Sequence, residues 1–163
     1  MQRALQVLRG LPGHPFHPPL TGATVDAFVT ASCLGAASAV SLAPDRTAVG
    51  WWLALVVGLM LAVPTMATGM LDWIALEHDS PVRRRATRHF VATGCAAVLF
   101  TLATVLGQPG YQRAVVDETA LGLTLLGLAT LAYGGWLGGH LVFVDAVRVE
   151  PRAVEPVGRG RDR

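Results

Sequence analysis

The five histidines of this chain fall at positions from which their imidazoles could share one site. His14 and His17 precede the first long apolar segment, and His78 follows the second. His89 opens the third segment, and His140 lies about one turn before the end of the fourth. Neutral imidazoles bind transition metals and serve as axial ligands of haem iron. We therefore treat His14 and His17 as candidate metal ligands.

His89 and His140 are the strongest candidates for a cofactor site, because both lie inside apolar segments. Ionisable groups at membrane depth are costly and usually mark a functional site. Asp26, about one turn into the first segment, and Asp72, at the exit of the second, are candidate partners. Their carboxylates could orient the imidazoles or relay protons. For His89 and His140 a structural role, in which histidines at helix ends simply contact lipid headgroups, remains open beside the cofactor site.

Four apolar segments must position these residues. The whole chain of 163 residues has a mean hydropathy of +0.47. Of its residues, 52% are apolar and only 15% are charged. Each is about 18 to 25 residues long, enough to cross a hydrocarbon core of about 30 Å as a helix. The segments run from about 22 to 42, 49 to 71, 89 to 106 and 120 to 144, and the Gly107-Gln108-Pro109-Gly110 run is expected to break the third.

The pattern predicts an all-α fold, a four-helix transmembrane bundle that is antiparallel, up-down-up-down. A soluble bundle would show a polar stripe at helical spacing. Residues 53–70, 91–106 and 121–139 instead contain no charged residue on any face. The expected organisation is a cytosolic N-terminal segment over residues 1–20, a four-span domain over 21–145, and a disordered cytosolic tail over 146–163.

The arginines predict the orientation of the bundle. The chain has 13 basic residues, all arginine, and an antiparallel topology places only Arg46 and Arg113 on one side. The other 11 fall in the N-terminal segment, the middle loop and the C-terminal tail. Cytoplasmic loops carry the excess of basic residues. Both termini are therefore expected in the cytoplasm, in a multi-pass protein of the inner (plasma) membrane.

Tryptophans and glycines complete the pattern. Tryptophans anchor helices at membrane interfaces, and four of them lie near segment ends or last turns: Trp51, Trp52, Trp73 and Trp136. The fourth segment carries two overlapping GxxxG pairs, Gly134/Gly138 and Gly135/Gly139. Such pairs let another helix, or a flat ring, approach the backbone closely. They favour packing between helices, including a homo-oligomer through Gly134, Gly135, Gly138 and Gly139.

Several stretches resemble the DUF2231 family of predicted bacterial membrane proteins. Residues 13–21, GHPFHPPLT, resemble its "GHPxHPxLT" opening, and residues 67–73, ATGMLDW, resemble its "TGxxDW". Arg88-His89 resembles its third-helix histidine, and residues 135–142, GWLGGHLV, resemble its "GWLGGxLV". The resemblance implies a four-helix membrane domain. Because relatives occur fused to Rieske or cytochrome-type modules, it also implies a membrane redox partner.

Three functions remain open from the sequence. The first is electron transfer by haem b or a metal bound near the cytoplasmic face through His89 and His140. The second is a non-catalytic anchor or assembly module for a partner complex. The third, a small proton or metal transporter, is weaker because the four segments show no inverted repeat. The chain has no CxxC, CxxCH, phosphate loop or metalloprotease motif, and nucleic acid is not an expected partner.

Overall fold

A computed structural model describes residues 10–11 and 14–149. Four helices dominate it: α1 His17–Ala39, α2 Pro44–Ile74, α3 Pro81–Gln112 and α4 Glu118–Phe143. They are preceded by two short strands, β1 Gly10–Leu11 and β2 His14–Pro15, which pair antiparallel. The connections between helices are short, so consecutive helices run antiparallel and the predicted four-helix bundle is confirmed. Residues 1–9 and 150–163, with most of the predicted N-terminal segment's and tail's arginines, lie outside the described residues.

Local sequence explains where the helices begin. α1 begins at His17, earlier than predicted, because Pro18 and Pro19 occupy the first turn, where a missing N–H costs no intrahelical bond. α2 also begins on a proline. The Ser80 side chain accepts a hydrogen bond from the Arg83 amide at the start of α3, and Asp117 accepts one from the Ala120 amide at the start of α4. These caps satisfy amides that have no partner inside a helix.

The predicted break in the third segment is wrong. α3 continues through Pro109 and ends at Gln112. A proline this close to a helix end disturbs only the last turn, so the helix absorbs it. The chain turns just afterwards, where the Val115 amide donates to the Gly110 carbonyl at 2.9 Å.

All four helices are long and apolar enough to cross a membrane. Their outward faces carry large apolar side chains, such as Met60 and Val63 of α2, which are 69% and 70% exposed. Such surfaces are stable only against lipid or another protein. α1 packs chiefly against α2, and α3 against α4. The bundle is therefore two antiparallel hairpins that meet across a shared interior.

Aromatic rings fill the centre where the hairpins meet. The rings of Phe28 and Phe100 stack with centroids 3.8 Å apart and planes within 3°. Trp51 is fully buried, and its indole Nε1 donates to the Thr124 hydroxyl at 3.2 Å. The prediction that Trp51 is an interfacial anchor is therefore wrong, because this side chain faces the bundle interior. Trp136, by contrast, is 67% exposed.

Candidate functional site

A cavity of about 300 Å³ lies between the four helices, toward the end where α1 and α3 begin and α2 and α4 end. Its walls are largely apolar and aromatic. The ionisable side chains that line it are His17, Asp72, His89 and Arg148. An apolar cavity with a few convergent polar groups is the usual form of a small-molecule or cofactor site, and 300 Å³ lies at the lower end of that size range. The cavity is therefore the candidate site.

The ring of His17, the first residue of α1, packs against α2. Its Nδ1 lies 3.0 Å from the Thr65 carbonyl oxygen and 3.4 Å from the Thr68 hydroxyl. Because a carbonyl only accepts hydrogen bonds, Nδ1 carries a proton, and in the neutral ring Nε2 keeps a lone pair. The Thr21 hydroxyl lies 3.5 Å from Nε2. The ring packs on Gly69, where an added Cβ would come within 2.7 Å of Cε1. Only glycine at this position lets the ring approach α2 without a shift.

His89 of α3 is held on α4 in the same way. Its Nδ1 lies 2.8 Å from the Gly134 carbonyl oxygen, which again assigns the proton to Nδ1. The ring packs on Gly138, where an added Cβ would come within 3.0 Å of Cε1. In both hairpins the accepting carbonyl lies four residues before the glycine. In the neutral tautomer that these bonds require, the lone pair of each ring is on Nε2, and both rings line the cavity.

This correspondence reflects an internal repeat. A shift of 72 residues superposes His17 on His89, Thr21 on Thr93 and Phe28 on Phe100. Seven of the 19 positions from 17 to 35 are identical to those from 89 to 107, which makes the match a signal readable from the sequence alone. The second helices correspond with a shift of 69, which superposes Gly58 on Gly127 and Gly69 on Gly138.

Equivalent residues of the two repeats make equivalent contacts in the structure. Gly58 contacts the Phe28 ring, and Gly127 contacts the Phe100 ring. Thr21 donates to the carbonyl of His17 at 2.9 Å, and Thr93 to that of His89 at 3.0 Å. Repeats of this parallel kind are related by an axis along the membrane normal. The two imidazoles are thus equivalent residues of two equivalent hairpins, facing one cavity.

The charged residues depart from this symmetry. Asp72 corresponds to Leu141 in the second hairpin, and its carboxylate lies 3.5 Å from the Arg148 guanidinium. Arg85 binds Asp145 with two hydrogen bonds of 2.8 Å. This pair fixes the segment that follows α4, so that Val147 and Arg148 line the end of the cavity. One end of the site therefore carries a guanidinium and a carboxylate.

Three of the predicted site residues, and the remaining histidine His78, are not among the residues that line this cavity. His140 lies two residues after Gly138, about 200° around α4, so it cannot share the face on which His89 rests. Asp26 is exposed on the outer surface of α1, and His14 is exposed in β2. His78 is exposed in the loop between α2 and α3. The cavity thus brings together His17, His89 and Asp72, and a binding role for His140, Asp26 or His14 stays a prediction.

The glycines of α4 serve this site as well. Gly134 packs on Thr93 and Gly138 on His89, both within the same chain. Gly135 lines the cavity, and Gly139 is close to Phe143 of its own helix. A homo-oligomer through these four glycines stays a prediction, and two of them are already covered by α3.

The ligand set limits which cofactors fit. Within residues 10–11 and 14–149, no three histidine, cysteine or acidic side chains come together as they would around a metal ion. Haem iron needs fewer protein ligands, because the porphyrin supplies four of six. The chain supplies two imidazoles that line one cavity, those of His17 and His89.

The four apolar helices and the imidazole-lined cavity define a class: a multi-pass membrane protein built as a four-helix bundle around an interior cavity. The sequence model of DUF2231, described as a predicted membrane protein, matches residues 13–151. The chain therefore belongs to the DUF2231 family, as its motifs indicated. No curated protein and no solved structure matches it.

Proposed function

We propose that this protein binds haem b between its two hairpins and transfers electrons in the membrane, with His17 and His89 as the axial ligands. The observation that carries the proposal is the pair of equivalent imidazoles, each with Nδ1 held by a backbone carbonyl of the neighbouring helix. Histidines that bind metals usually donate their second N–H to a carbonyl or carboxylate, which fixes the tautomer and the ring orientation.

The surroundings of the pair also fit a porphyrin. The walls contributed by Phe28, Phe100 and Phe90 are aromatic, and glycine beneath each imidazole lets the ring lie close to the backbone. Arg148 lines the same cavity and already pairs with a carboxylate, that of Asp72. Guanidinium groups bind carboxylates well, so Arg148 would hold a porphyrin propionate. Haem supplies one-electron chemistry when bound, and the protein's residues orient it and exclude water.

The proposal changes one ligand of the sequence-based hypothesis. The sequence pairs His89 with His140, whereas the cavity pairs His89 with His17. The proposal retains Asp72 as a neighbour of the two ligands, because Asp72 lines the same cavity. The site lies at the bundle end that carries the described arginines Arg83, Arg84, Arg85, Arg88 and Arg148. The arginine distribution supports a cytoplasmic position for this end and an inner-membrane location for the protein.

Absorption spectra of the purified full-length protein test the proposal. After expression with added haem precursor, the wild type should show the Soret band of a low-spin, bis-imidazole haem. His17→Ala and His89→Ala should each abolish the band or convert it to a high-spin form. His140→Ala is the matched control and should leave it unchanged.

Two results would contradict the proposal. One is a wild-type protein without a Soret band when haem is supplied. The other is loss of the band in His140→Ala but not in His17→Ala, which would restore the sequence-based pairing. A haem-free protein that copurifies with a membrane complex would instead support the alternative, an anchor or assembly module.

A further inference from the structure

The two side walls of the cavity are equivalent in the repeat but differ in side-chain size. One wall, between α1 and α4, is formed by Pro18, Val25, Gly135 and Val142. The shifts of 72 and 69 residues superpose these on Phe90, Ala97, Met66 and Trp73, which form the wall between α2 and α3. At three of the four positions the α1/α4 wall has much the smaller residue.

The size difference changes access to the cavity. On the α1/α4 wall Pro18, Gly135 and Val142 are exposed, whereas all four residues of the α2/α3 wall are half-buried. Among the described residues, a Cβ added at Gly135 would meet nothing within 4 Å. α1 and α4 also pack less extensively than α2 and α3 do. We call the gap bounded by Pro18, Val25, Gly135 and Val142 the lateral window.

The lateral window opens toward lipid. Val25 lies eight residues from the start of α1 and Gly135 eight residues from the end of α4, so the window reaches about 12 Å along each helix. The residues that frame it carry no charge. Water-soluble molecules do not collect at such a surface, whereas flat apolar molecules dissolved in the bilayer do.

We infer that the lateral window is the route by which haem enters the cavity from the bilayer. This inference rests on the proposed function and extends it, because it names the source of the cofactor. A flat, apolar ring that passes between α1 and α4 reaches the space between His17 and His89. On the opposite wall the equivalent positions hold the larger side chains of Phe90, Met66 and Trp73, which narrow the corresponding gap.

Blocking the window tests the inference. Haemin in lipid vesicles is mixed with apoprotein in separate vesicles, and growth of the Soret band is followed. Gly135→Phe should slow loading at least tenfold. Gly122→Phe is the matched control, because Gly122 lies on the same helix with nothing within 4 Å of an added Cβ, away from the cavity. Its loading rate should equal that of the wild type.

The amount of haem bound after expression shows that each variant folds. Gly135→Phe that carries a full haem complement from the cell, yet loads slowly as apoprotein, supports the window. Loading at the wild-type rate, or equal slowing in Gly122→Phe, would overturn it.

A second measurement separates this inference from the proposed function. Menadione, a flat apolar quinone, is dissolved in the vesicles, and the quenching of tryptophan fluorescence is measured. The contribution of Trp73 is the difference between each protein and its Trp73→Phe variant. Gly135→Phe should reduce this quenching, and Gly122→Phe should not. If the wild type binds no haem, the proposed function fails while the quenching still decides whether the window opens into the cavity. Equal quenching in both variants would refute the window.

Discussion

At the scale of single residues, the site depends on how each imidazole is held. His17 and His89 bond to main-chain carbonyls, and no side-chain substitution at Thr65 or Gly134 removes these acceptors. The proton on Nδ1 is therefore fixed by the fold of the neighbouring helix. Histidine is the only side chain at these positions that both satisfies the carbonyl and leaves a ring nitrogen for a ligand.

The stacked pair Phe28 and Phe100 lies deeper in the bundle than the imidazoles and joins the two hairpins. Both rings are almost fully buried, so truncation leaves a cavity that the helices cannot refill completely. We expect Phe28→Ala and Phe100→Ala each to lower the free energy of unfolding by about 3 kcal/mol. Denaturant titration in detergent measures this. Because the rings contact each other, the double variant should lose less than the sum of the two single losses; an additive result would contradict the shared contact.

At the scale of the helices, glycines set how closely each hairpin packs. An added Cβ at Gly58 would lie 2.6 Å from the Phe28 ring, and one at Gly127 would lie 3.0 Å from the Phe100 ring. Phe28 is confined by Phe100, so it has little room to move. The close approach of α1 to α2, and of α3 to α4, therefore requires glycine at these two positions.

This packing predicts opposite effects for the same substitution at different glycines. Gly58→Ala should lower the free energy of unfolding by about 1–3 kcal/mol, as overpacking of a well-filled core does. Gly122→Ala is the control: its Cβ meets nothing, and alanine favours the helix, so stability should stay the same or rise. Thermal unfolding in detergent compares the two. Equal melting temperatures for both variants would show that α1 and α2 can separate without cost.

At the scale of the whole molecule, the site belongs to neither hairpin alone. Each hairpin contributes one imidazole, one glycine and one phenylalanine, and the cavity exists only where the hairpins face each other. Residues after α4 complete it, held by the ion pair of Arg85 with Asp145. The repeat makes the two halves alike, whereas Asp72, Arg148 and the lateral window make the finished site asymmetric.

The topology of the whole chain can be tested with cysteines. In a Cys33→Ala/Cys95→Ala background, His78→Cys lies in the loop between α2 and α3 and Gln112→Cys at the far end of α3. Because the positive-inside rule predicts that the loop between α2 and α3 faces the cytoplasm, a membrane-impermeant maleimide should label Gln112→Cys in intact spheroplasts. His78→Cys should react only after the cells are opened. The reverse labelling would overturn the orientation.

The sequence by itself determined the membrane class, the four helices, their antiparallel order and the family. These follow from properties that act locally or along one helix, such as uncharged apolar runs of spanning length and prolines in first turns. It also singled out Asp72 and His89, both of which line the cavity. The helix ends were less accurate, as Pro109 shows, because a proline near a terminus is tolerated.

Only the tertiary structure decided which histidines share the cavity. His140 is as apolar in context as His89, and the sequence grouped His17 with His14 as a candidate metal ligand rather than with His89. Their positions differ because of rotation about a helix axis and because the two hairpins face each other, which depends on contacts between residues as far apart as Phe28 and Phe100. Contacts between the hairpins also bury Trp51, whose indole reaches the Thr124 hydroxyl of α4. Residue type and spacing do not specify which face of a helix points into the bundle, because packing between side chains of distant helices determines it.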